Sequence, residues 1–196
     1  MDWWHRYFQL GACPAALLVR PPTSAHIPVT DASGVGYGGM FFGNDGVIYY
    51  FYGTWNDEIQ DLFRRGILDI NILELATIEL LLHAAGVSIQ SQSFVLKCDN
   101  DSSVSLLTSY KARRYTSGKV LANIDLLLAQ HDLDIKFEHI PGVDNRLADW
   151  LSRIRLDLFT QQVRRDHPTA RLVEIRLPKA RTDISHVVRA SSWSRG

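Results

Sequence analysis

The sequence predicts a mixed α/β fold, a sheet flanked by helices, and three observations lead there. A glycine-rich run of three strand-like segments opens the patterned part of the chain at Ile27. An all-round apolar helix follows it. Strand-like and helix-like segments then alternate as far as about residue 157.

In order, Ile27, Val29 and Asp31 share one strand face by their period of two. YGGMFF and VIYYFYG flank GNDG, whose Asp-Gly pair signals a hairpin turn. INILELATIELLLHAAG is the strongest helix, ended by Gly86. SFVLKCDN reads as a buried strand, and DSSVSLLTSY as a short helix opened by Asp101 or Ser102. KVLANIDLLLAQHD is an amphipathic helix. In LDIKFEHI, Leu133, Ile135, Phe137 and His139 alternate with Asp134, Lys136 and Glu138. PGVDNRLADWLSRIRLDLF starts a last helix, with Asp144 placed as its N-cap.

The 196 residues, 46% of them hydrophobic, suffice for one domain with extensions. No apolar run is long enough to span a membrane, and ACPAALLV lacks the length and basic flank of a signal peptide. Cys13 and Cys98 lie far apart without metal-type spacing, as in an intracellular protein. Net charge is zero but unevenly placed. Residues from Asp157 onward carry eight Lys/Arg against four Asp/Glu, leaving 13 against 17 before them. The expected division is a lead-in over residues 1–25, a domain over 26–157 and a basic tail or linker over 158–196. One further strand-like run, ARLVEIRL, lies in that tail.

Four carboxylates carry the chemical interest. Asp31 ends a strand on its apolar parity, where an unpaired charge costs on the order of several kcal/mol; alone it reads first as a turn aspartate before Ser33-Gly34. On a helical wheel Ile70, Ile78 and Leu81 fall within about 40° of Glu74, placing it inside the apolar stripe. Glu79 and His83 lie opposite, where a solvated face is expected. Asp99 closes a strand with its facing open, and Asp149 falls on the polar side of its helix. Together, four acids at strand ends or on helices beside a sheet resemble convergent oxygen ligands for Mg²⁺ or Mn²⁺. Such ions can activate water against a phosphodiester.

TDASGVGYGG, INILELATI, LKCDNDSSV and HIPGVDNRLADWLSR together resemble, in order and spacing, the ribonuclease H domain of retroelement reverse transcriptases. The trailing ADWLSR is similar to LTR-type and DIRS-like retrotransposons. The resemblance covers about residues 26–155 and implies a five-stranded mixed sheet flanked by helices. It also implies that the lead-in ends a preceding polymerase or connection region, with a polymerase domain in the same polyprotein or complex. Asp31, Glu74, Asp99 and Asp149 correspond to the metal-binding carboxylates, with two Mg²⁺ ions for which Mn²⁺ can substitute. His139 corresponds to the mobile histidine near the scissile phosphate. The implied reaction is hydrolysis of the RNA strand of an RNA–DNA hybrid.

Expected substrate contacts are Asn100, Asn145 and the basic residues Lys111, Arg113, Arg114 and Lys119 of YKARRYTSGK. Gly34 and Gly36 fit either close approach to a nucleic-acid backbone or hairpin geometry. A P-loop is absent from the sequence, which argues against that class of nucleotide binding. A catalytically silent, nucleic-acid-binding version of the same fold is the alternative.

Overall fold

The computed structural model describes residues 27–184 except 44, 45, 90, 91, 110, 112 and 113. The lead-in, Cys13, Arg113, the Asn44-Asp45 turn and residues 185–196 lie outside the described residues. Among the described residues, no helix is long and apolar enough to cross a membrane.

Strands β1 (Val29–Ala32), β2 (Gly36–Phe42) and β3 (Val47–Thr54) form the expected antiparallel meander. Aromatic and β-branched residues give β3 two useful faces. Tyr49 and Phe51 meet the larger core, while Ile48, Tyr50 and Tyr52 meet a smaller one behind the sheet. Helix α1 (Asp57–Arg64) follows, capped by Asn56 accepting from Ile59 N; sequence periodicity had not marked it. The apolar helix α2 (Ile70–Ala85) is capped by Asp69 and ends at Gly86, whose φ is 42°.

Strand β4 (Ser93–Cys98) runs parallel beside β1, and β5 (Asp134–His139) parallel beside β4. Between them lie α3 (Asp101–Ser109) and α4 (Tyr115–Gln130). Asn100, rather than Asp101 or Ser102, opens α3 by accepting from Ser103 N at 3.0 Å. Helix α5 (Arg146–Ser152) likewise does not begin at Asp144. That residue lies in the preceding turn, its N–H bonded to Pro141 O, and Asn145 holds the cap position.

The expected single last helix is two. A turn at Arg153 and Ile154 separates α5 from α6 (Leu156–Asp166). Strand β6 (Arg171–Glu174) then pairs with β3, and a short α7 (Lys179–Thr182) follows. Among the described residues the sheet therefore has six strands, ordered β5-β4-β1-β2-β3-β6, rather than five. The additional strand comes from ARLVEIRL, where Leu172 packs on the smaller core with Phe159 and Val163.

Helices α2 and α4 cover one face of the sheet and α5 and α6 the other. Packing of α4 on α2 overturns the solvated face expected around Glu79 and His83. Their side chains are 12% and 15% exposed, and Glu79 accepts from Asn123 Nδ2 of α4. Isolated helix periodicity cannot reveal a second helix lying on the polar side.

Candidate active site

Parallel pairing brings the C-terminal ends of β1 and β4 together. Thr30 is in register with Cys98, so Asp31 and Asp99 each lie one position further along neighbouring strands. Glu74 reaches the same sheet end from α2. Its Oε1 accepts the Ala32 N–H at 3.1 Å, and its Oε2 accepts the Cys98 thiol at 3.7 Å. Asp149 arrives on α5 from the opposite face.

Helix α5 can come this close because β2 is glycine-rich beneath it. A Cβ on Gly38 would lie 2.3 Å from Leu151 Cβ and 2.7 Å from Ser152 N. A Cβ on Gly36 would meet Ser152 O at 2.8 Å. The glycine run thus seats the helix that carries Asp149. Gly34 serves packing too, since a Cβ there would strike the Phe63 ring.

Charge is crowded at this end. Asp31 is 5% exposed and Glu74 only 3%. Burial pushes the Asp31 carboxyl up to about 7, helped by the nearby charges of Asp99 and Asp149 and opposed by Ser152 and Arg153. Glu74 is pushed up to about 9, first by burial and then by Asp31. Ser152 Oγ donates to Asp31 Oδ2, and Arg153 Nε donates to Asp149 Oδ1 at 2.6 Å. Neither Ser152 nor Arg153 was singled out in the sequence. Their i+3 and i+4 spacing from Asp149 was the available signal.

The residues present fit a hard divalent cation. Ligand atoms of Glu74, Cys98 and Asp99 lie within 4.8 Å of one another. Burial and the neighbouring Glu74 charge drive the Cys98 thiol far up, so it stays protonated and donates to Glu74. The remaining donors are carboxylate oxygens, two of them on buried side chains whose ionised forms are disfavoured without a compensating cation.

His139 stands at the end of β5, in register with Cys98 and exposed, its Nδ1 3.6 Å from Asp101 Oδ1. It is a rim residue, not a core histidine. Beside it opens a groove of about 780 Å³ whose lining includes Asn71, Asp101, Ser102, Ser105, Lys111 and Arg114. Lys111 is exposed there, whereas Arg114 is paired with Asp69. Lys119 Nζ sits 5.2 Å from the Tyr115 ring centroid.

Two of the expected substrate contacts, Asn145 and Asn100, bond within the scaffold. Asn145 is 1% exposed, and its Nδ2 donates to Thr30 O at 2.9 Å, tying the start of α5 to β1. Asn100 caps α3 with its oxygen and donates its amide to Asn71 Oδ1, joining α3 to α2. Both position the elements that bear the acids.

No family model matches the chain, and no curated protein matches it significantly. Solved structures do. Ribonuclease H1 from the halophilic archaeon Halobacterium salinarum aligns at a TM-score of 0.51 and 19% identity, over 67% of this chain and 97% of that one. LC11-RNase H1, isolated from compost by a metagenomic approach, aligns at 0.50 and 20%, over 68% and 96%. At such identities the likeness speaks to architecture. The chain has a ribonuclease H-like fold.

Proposed function

We propose that this chain is a divalent-metal-dependent endoribonuclease that hydrolyses the RNA strand of RNA–DNA hybrids. One observation carries the reading: Asp31, Glu74, Asp99 and Asp149, from four separate segments, gather at one end of the sheet, with two of them buried. Nothing in folding alone rewards that crowding of acids.

In this reading Asp31, Glu74, Asp99 and Asp149 hold two Mg²⁺ ions, or Mn²⁺ in their place. Bound there, such ions supply a more acidic water and neutralise charge on the phosphodiester oxygens. The chain's own groups do the rest. Ala32 N–H and the Cys98 thiol fix the orientation of Glu74, while Ser152 fixes that of Asp31. His139, exposed on the rim, exchanges a proton with the departing 3′ oxygen or assists product release. Lys111 and, once released from Asp69, Arg114 contact strand phosphates along the groove, joined by Arg113 and Lys119. Choice of the RNA strand rests on 2′-hydroxyl contacts across the wide minor groove.

The retroelement setting belongs to the same reading. It rests on the ADWLSR motif and includes an intracellular location and a polymerase domain in the same polyprotein or complex. So does the division into lead-in, ribonuclease H-like domain and tail. Strand β6, which lies beyond residue 157, pairs with β3 of that domain.

A labelled RNA–DNA hybrid tests the proposal. Cleavage is expected in the RNA strand with Mg²⁺ or Mn²⁺, with single-stranded RNA and DNA duplex left intact. Asp99→Asn abolishes it. Folded wild-type protein that binds the hybrid but cuts it at no metal concentration favours the silent scaffold instead.

A further inference from the structure

Consecutive residues after Asp149 supply donors to two of the four acids. Ser152 serves Asp31, and Arg153 serves Asp149 as an i,i+4 pair. The turn that presents them is closely held. Arg153 N donates to Asp149 O at 3.1 Å, Ile154 N to Leu151 O at 3.1 Å, and Arg155 N to Trp150 O at 2.7 Å. Ser33 Oγ adds a bond to Ser152 O at 3.0 Å. This turn persists although it places β-branched Ile154 at φ 59°, where glycine is the usual occupant.

The backbone of Arg153 is therefore fixed while its side chain remains 54% exposed and able to rotate outward. Its guanidinium feels Asp149 first, then Asp31 and Asp99. It holds Asp149 through one carboxylate oxygen, and a half-exposed pair of this kind is weak enough for a stronger cation to displace.

We infer that Arg153 is a built-in substitute for the metal's charge, neutralising the acidic cluster through Asp149 in the metal-free protein and yielding that carboxylate when a divalent cation binds. The inference rests on the metal-site reading above. Arg153 is on this view a positioning residue that sets metal affinity below what the four acids alone would give.

Mn²⁺ binding to the folded full chain, read from the paramagnetic resonance signal of free Mn²⁺, tests it without any turnover. Arg153→Gln is expected to bind Mn²⁺ about five- to tenfold more tightly than wild type, as removal of one adjacent positive charge dictates. Arg153→Ala moves the same way. Arg153→Lys, which keeps the charge, stays within about twofold of wild type. Unchanged or weaker binding by the Gln and Ala variants, with Asp99→Asn still weakening binding, overturns the role of Arg153 and leaves the metal site standing. Wild-type protein showing no binding sensitive to Asp99→Asn overturns both.

Discussion

Helix α2 carries a buried glutamate, Glu74, and a half-buried one, Glu79, five residues further on, and their surroundings separate a chemical site from a structural one. Glu74 and Glu79 are each shielded from water, and burial is the largest cause raising each pKa, to about 9 and about 7. Glu74 faces Asp31 and Asp99, which raise it further. Glu79 faces Asn123, which donates to it, and Arg181, which stabilises its charge; His83 Nε2 lies 3.9 Å away. Burial with neutral or cationic company is a packing solution. Burial among further acids disfavours the ionised carboxylates until a cation offsets their charge.

Replacing each glutamate by its neutral isostere separates the two most sharply. Glu74→Gln should lower hybrid cleavage by about three orders of magnitude, in line with several kcal/mol of lost transition-state stabilisation. Glu79→Gln should leave cleavage within about threefold, since it touches none of the site's acids. Comparable losses in the two variants, measured as kcat/KM on the same hybrid, would erase the distinction.

A smaller effect is expected from the helix facing them across the sheet. Gly38→Ala forces α5 away from β2 and should cost about 1–3 kcal/mol in denaturant unfolding. Because Asp149 and Ser152 move with α5, cleavage should fall further than that stability loss alone explains. Normal activity in the destabilised variant would show that the seating of α5 is merely structural.

The meander, the apolar helix and the two parallel strands were legible because period and punctuation speak for single elements. Glu74 was legible for the same reason: it breaks an apolar stripe whose other members are known from sequence. What was not legible lay between elements. The polar side of α2 is covered only because α4 packs there, and Asn145 turns inward only because β1 offers the Thr30 carbonyl. Asp149 looked like a solvated residue until α5 was laid on the glycines of β2. The tail's strand needed the exposed edge of β3 to pair with.

The most direct measurement is the melting temperature of wild type, Glu74→Gln and Glu79→Gln between pH 5 and 9, in chelator and in Mg²⁺. Asp31, Glu74 and Glu79 all have folded-state pKa values above their ordinary ones. The stability they contribute is complete below about pH 4 and is lost as pH rises through about 7 for Asp31 and Glu79 and about 9 for Glu74. In chelator the wild type should therefore soften with rising pH. At pH 8 Glu74→Gln should melt about 5 °C higher than wild type. Mg²⁺ should raise wild type and Glu79→Gln alike and leave Glu74→Gln nearly unmoved. A wild type indifferent to Mg²⁺ at every pH, or a Glu74→Gln variant that Mg²⁺ raises as much as wild type, would contradict a metal site at this end of the sheet.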